Sequence, residues 1–164
     1  MQVRRPRPVL WLMLAAVVLG CARKPLYHHY HHVGTDGWQR ADTLVFQLPP
    51  SPHGGHYLVS LGLRYAPSYP YEGLTIVAET LTDAGAPPRL DTLRVATSSP
   101  QGVPLGHGVS LMQQQLPIFH LRLAPGSGTT IRLRHIMARE VLPDLRDIGL
   151  LVEEEKILTT GNSF

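Results

Sequence analysis

From residue 43 onward the chain alternates apolar and polar positions with a period of two, the mark of strands that are buried on one face. In residues 43–48 this period sets Leu44, Phe46 and Leu48 on one side and Thr43 and Gln47 on the other. Residues 56–65 put Tyr57, Val59, Leu61 and Leu63 opposite Ser60, Gly62 and Arg64. Residues 74–82 are β-branched and mostly apolar, as a more central strand would be. Residues 90–97 turn Leu93 and Val95 inward, and residues 118–123 set Phe119, Leu121 and Leu123 against His120 and Arg122. Residues 129–137 oppose Ile131, Leu133 and Met137 to Thr130, Arg132 and Arg134, and a last run covers 148–153.

Turn chemistry separates these runs: PPSPHGG at 49–55, APSYPY at 66–71, DAGAPP at 83–88, SSPQGVPLG at 98–106 and APGSG at 124–128. Fifteen prolines and fifteen glycines leave little room for a long helix, and a turn or two at 138–142, stopped by Pro143, is the one helical expectation. The pattern predicts an all-β chain, an antiparallel β-sandwich of about seven strands, immunoglobulin-like or jelly-roll-like.

The start of the chain follows a different pattern. Arg4, Arg5 and Arg7 precede eleven apolar residues at 9–19, a signal-peptide core well short of the roughly 20 residues that span a bilayer. Val18-Leu19-Gly20-Cys21 then resembles a bacterial lipobox, and Cys21 is the single cysteine. Residues 1–20 are expected as a lipoprotein signal peptide, 21–37 as a lipidated flexible tether, 38–155 as the β-sandwich and 156–164 as a tail. Cys21 is the expected lipid attachment site, and no other cofactor is expected. Loss of the three leader arginines lowers the fifteen Lys and Arg to twelve, equal to the twelve Asp and Glu. A neutral mature chain lacks the basic field that draws proteins to nucleic acid.

Few groups offer chemistry. His28, His29, His31 and His32 stand within five residues and are a candidate set for Zn²⁺, Ni²⁺ or Cu²⁺, set against a solvated tether. His135 shares the parity of core residues and reads as a hydrogen-bonded core histidine. Arg132 and Arg134, with Arg122 on a neighbouring run, form a candidate cationic stripe, with an ordinary solvated face as the alternative. Tyr69 and Tyr71, with Tyr65, are candidates for an aromatic platform or for packing over one end of the sandwich. Tyr69, Tyr71, Arg132 and Arg134 together are the candidate partner surface. Gly126-Ser127-Gly128 reads as a hairpin turn without the strand-to-helix setting of a nucleophile elbow. No HExxH, P-loop or dinucleotide fingerprint occurs, and no enzymatic activity is expected.

The order of these features resembles the gliding-motility lipoprotein H (GldH-like) family of the Bacteroidetes. It rests on the lipobox, Tyr27 and Tyr30, then Trp38 followed by Asp42-Thr43-Leu44-Val45-Phe46. It continues through Arg64, Tyr69-Pro70-Tyr71, Asp91-Thr92-Leu93 and Gly106-His107-Gly108, to Met137, Leu142-Pro143 and Asp147-Ile148-Gly149-Leu150. Where that pattern has glycine after the proline, this chain has Asp144. The resemblance implies a membrane-anchored, non-enzymatic part of the envelope machinery for gliding and linked protein export, with other envelope or motility proteins as partners. Ala22-Arg23-Lys24 carries no acidic residue after the cysteine, which favours a periplasm-facing position on either membrane. The competing reading is a periplasmic lipid-anchored module that binds a glycan or a metal.

Overall fold

In the computed structural model, residues 24–83 and 86–155 are described; Cys21, the leader and the tail at 156–164 lie outside them. The strands are β1 (Tyr27–His32), β2 (Trp38–Gln39), β3 (Leu44–Leu48), β4 (Gly55–Tyr65) and β5 (Gly73–Thr82). They continue as β6 (Arg89–Ala96), β7 (Met112–Leu123), β8 (Thr129–His135), β9 (Val141–Leu142) and β10 (Leu145–Glu154). All pairs are antiparallel, in one sheet ordered β1-β10-β4-β7 and another ordered β3-β8-β5-β6, with β2 and β9 forming a two-stranded ribbon.

Among the eight long strands in chain order, one sheet holds the first, eighth, third and sixth, and the other the second, seventh, fourth and fifth. That order is a jelly roll, two interlocked Greek keys, which decides between the two sandwich types the periodicity left open. The period-two faces pack as expected. Phe46, Val59, Leu61, Leu63, Ile76, Ile131, Leu133, Ile148 and Leu150 are all fully buried between the sheets. Truncating one such side chain costs about 2–5 kcal/mol, because the lost transfer energy is joined by a cavity that neighbours only partly fill.

Four expectations are corrected. Ten strands are present among the described residues, not about seven. The tether expected over 21–37 is interrupted by β1, which pairs residue for residue with β10 from Tyr27↔Val152 to His32↔Asp147. The helical turn expected at 138–142 is absent: Val141 and Leu142 pair with Gln39 and Trp38 instead. Pro143 ends that pairing, and Asp144 turns the chain with φ 64°, a left-handed conformation that Asp tolerates better than most residues. Finally, β7 starts at Met112, six residues before the run at 118–123. Pro117 is accommodated there because β7 is an edge strand, and the register shifts beside it, opposite Val59 and Ser60.

The jelly-roll connections divide between two ends. At the near pole lie Leu26, where the chain joins the sheet, the β3–β4, β5–β6 and β7–β8 connections, and Glu155. The β7–β8 segment, which includes Gly126-Ser127-Gly128, passes between the two sheets and so is not a hairpin turn. At the far pole lie the β1–β3, β4–β5, β6–β7 and β8–β10 connections. The eleven residues of β4 put the poles about 35 Å apart.

Candidate functional site

β1 explains the fate of the histidine cluster. Alternation along a strand sends His29 and His31 to the core side with Tyr27, and His28 and His32 outward with Tyr30. The His31 ring meets Phe46 edge-on at 4.7 Å, and its Nε2 donates to the Val45 carbonyl at 2.9 Å, joining β1 to the edge of the facing sheet. His32 Nδ1 lies 3.1 Å from Asp147 Oδ1. The four imidazoles therefore do not converge. Among the described residues no three His, Cys, Asp or Glu side chains gather as metal ligands would.

Tyr30 has a distinct setting on the outer face. Its ring lies across Gly62 of β4 and Gly149 of β10; a Cβ on Gly149 would stand 2.6 Å from the ring, and one on Gly62 would strike the phenol. The Arg64 guanidinium covers the ring at 4.3 Å and also lies 3.7 Å from Asp147. Two adjacent glycines thus form the bed of one aromatic clamp that holds β1 down.

Arg132 and Arg134 both point from the outer face of β8, where Arg132 pairs with Glu79 at 3.3 Å. With Thr43, Val45, Val77, Glu79 and Leu90 they line a groove of about 480 Å³. Arg122 sits on β7 in the other sheet, so the three-arginine stripe does not form: the two runs are successive in sequence but belong to different layers.

The remaining candidates meet at the far pole. Tyr65 and Tyr69 contact edge-on with centroids 5.8 Å apart, as do Tyr69 and Tyr71 at 5.4 Å. Tyr69 and Tyr71 pack against the core, and the cluster lines a hollow of about 160 Å³ with Gly102 and Pro104. Burial, with a smaller contribution from Tyr71, pushes the Tyr69 phenol far above its ordinary range. It stays neutral, as a packing residue would. The Tyr65 hydroxyl donates to the Thr97 carbonyl at 2.8 Å and accepts from the Gly106 amide at 3.1 Å. Thr97 Oγ1 donates to the Tyr71 carbonyl at 2.8 Å. The tyrosines therefore hold the β6–β7 connection in place.

A second plug lies beside it. Trp38 is fully buried, its indole donating to the Asp42 carbonyl at 3.3 Å, and His135 meets it edge-on at 5.1 Å. His135 Nε2 donates to the Trp38 carbonyl at 3.1 Å, while its Nδ1 has no partner among the described residues. Burial lowers the His135 pKa, and Arg40 lowers it further; the Trp38 hydrogen bond and Asp42 act in the opposite direction. Gly37, at φ 94°, brings the backbone against Leu142, where any Cβ would collide with a carbonyl. Sequence reasoning missed the exposed apolar side chains of the β6–β7 connection, Val103, Leu105, Val109 and Leu111. The available signal was the lack of any Asp, Glu, Lys or Arg from 97 to 111.

The result is a lipobox-bearing jelly roll whose far-pole connections are held in place by the tyrosine cluster and by Trp38 with His135: the architecture of a β-sandwich lipoprotein. Residues 25–152 match the GldH lipoprotein family model, and the chain belongs to that family. It is 30% identical over 152 residues to the gliding motility lipoprotein GldH of Flavobacterium johnsoniae, covering 88% of this chain and 94% of that protein. Membership makes it a gliding-motility lipoprotein, attached to a membrane of the cell envelope. No helix among the described residues is long and apolar enough to cross a membrane.

Among solved structures the chain is similar to the CBM35 from Cellvibrio japonicus Abf62, at 17% identity and a TM-score of 0.39, covering 82% of this chain and 89% of that one. It is also similar to a family GH115 4-O-methyl-α-glucuronidase, at 13% identity and a TM-score of 0.40, covering 83% of this chain and 18% of that one. Similarity at this level carries nothing about ligands.

Proposed function

We propose that the chain is a non-enzymatic component of the gliding-motility and linked protein-export machinery, held by lipid on Cys21 and facing the periplasm, and that it acts by binding other envelope proteins. The observation that supports this most is the family match, which runs from the residue before Leu26 to Val152 and so takes in both sheets and every far-pole connection. The distribution of polar chemistry agrees with it. Ion pairs such as Arg132–Glu79 and Arg89–Asp91 satisfy surface charges, and the tyrosines and His135 serve packing.

The test is a strain lacking this chain, scored for colony spreading and for secreted-protein output with growth rate as control. Loss of spreading or export at normal growth is expected. Normal spreading and export in a host that glides would reject the role.

A second reading, a ligand-binding module for a glycan, is favoured by the groove on β3, β5, β6 and β8, where Arg134 has no ion-pair partner among the described residues. Glycan binding that Arg134→Ala abolishes, with spreading intact in the null strain, would support it over the first.

A further inference from the structure

Five of the seven exposed large apolar side chains among the described residues stand at one end of the molecule. Val103, Leu105, Val109 and Leu111 belong to the β6–β7 connection, and Ile136 follows β8 beside it. Val109 is 95% exposed, Val103 61% and Leu105 45%, in a connection with no Asp, Glu, Lys or Arg. A single exposed apolar residue is ordinary; several on one uncharged segment are not.

The segment is also held in shape. The Ser99 amide donates to the Val103 carbonyl at 2.8 Å, and the Leu105 amide to the Thr97 carbonyl at 2.9 Å. His107 and Gln113 exchange amide bonds at 2.9 and 2.8 Å, and Tyr65 ties down Gly106. Gly102 and Pro104 of this segment line the hollow at Tyr69, whereas Val103, Leu105, Val109 and Leu111 do not and stay exposed to water on an ordered backbone. A surface already ordered loses little conformational entropy on binding.

Where the anchor enters decides what covers this surface. The lipid attaches at Cys21, on the reading proposed above, and the chain joins the sheet at Leu26, at the opposite pole. The five residues 22–26 reach at most about 17 Å. Turning the far pole down onto the same bilayer would lift Leu26 by about 35 Å, twice that reach. A segment without cations also has no attraction for anionic headgroups. The membrane that holds the protein is thus a poor occupant, and an apolar protein surface farther from that membrane is a good one.

We propose that the β6–β7 connection, with Val109 at its most exposed point, is the docking surface through which this lipoprotein engages an apolar, uncharged surface of a partner protein. This rests on the machinery role proposed above. It adds which surface of the chain carries that role.

The test places a photocrosslinking amino acid at Val109 in the full-length lipoprotein in cells, with a control at Glu153 on the outer face of β10. It is repeated with Leu105→Asp, and spreading is scored for Val109→Asp and Val109→Lys. The expected result is one discrete protein adduct from Val109 and none from Glu153, lost about tenfold or more with Leu105→Asp. Both charged variants are expected to abolish spreading while the protein stays at normal level in the membrane fraction. Both positions are exposed, so unchanged thermal unfolding of the purified variants confirms that the fold is intact. Lipid adducts, adducts between two copies of this chain, equal adducts from both positions, or normal spreading of the charged variants would each overturn the proposal. If the null strain itself spreads and exports normally, it is the machinery role that fails; a defective null strain with normal Val109 variants rejects only the docking surface.

Discussion

His135 shows what one residue contributes to this fold. It is fully buried, neutral by virtue of that burial, and spends its Nε2 proton on the Trp38 carbonyl, so protonating Nδ1 places a charge where nothing receives it. Because its folded pKa lies below the unfolded value of about 6.5, the unfolded chain binds the proton first as pH falls. The contribution is therefore complete above about pH 6.5 and declines below it, with a slope from this group of at most about 1.4 kcal/mol per pH unit. Urea unfolding of the protein between pH 7.5 and 5 should show midpoints dropping with acid. His135→Gln should flatten that drop, at the cost of lower stability at pH 7.5, and an unchanged profile in the variant would assign the acid sensitivity to other groups. The parity of Ile131, Leu133 and Met137 was enough to read His135 as a core residue. Its partner was not legible, since Trp38 lies almost a hundred positions earlier and only the ribbon of β2 with β9 brings it near. Asp144 is a similar case: its departure from the family's glycine becomes intelligible once its φ of 64° and the Ser68 hydroxyl, donating to its carboxylate at 3.0 Å, are known.

At the scale of elements, strands with an apolar face were legible and strands without one were not. Six runs appear within about three residues of their expected places, and the run at 118–123 as the second half of β7, because each has a row such as Val59, Leu61 and Leu63. β1 was hidden because HHYHH sets similar polar rings on both faces, and the three glutamines and Pro117 hid the first half of β7. What fixes β1 lies instead on its neighbours, in the glycines that leave room for Tyr30. Gly62→Ala would push the phenol off β4, release the Arg64 contact and loosen the first strand of the jelly roll. The expected cost is about 1–3 kcal/mol, as for overpacking elsewhere. In a Tyr30→Ala background the same substitution has nothing to strike and should cost little, so a double-mutant cycle should return a coupling of about 0.5–3 kcal/mol. Additive losses in that cycle would mean that the clamp contributes nothing to holding β1.

For the whole molecule, the jelly roll turns a sequence-level anchor into a direction. Its first strand begins, and its last strand ends, at the near pole, so a lipid at Cys21 points the four far-pole connections away from the membrane. The lipobox was readable from residue types alone, but this polarity was not, because it depends on β1 being a strand rather than part of a long tether. A tether of sixteen residues would let either pole meet the bilayer; one that ends at Leu26 does not. The anchor itself is open to direct test, since each buried acyl CH₂ is worth about 0.8 kcal/mol and several chains together make attachment effectively permanent. Cys21→Ala should abolish incorporation of a clickable fatty acid and prevent leader cleavage at that position. The product should be an unacylated, larger precursor, either soluble or held by its apolar leader, and colony spreading should be lost with it. Wild-type labelling and normal membrane partition in Cys21→Ala would show that attachment lies elsewhere, and the orientation of the far pole would then lose its basis.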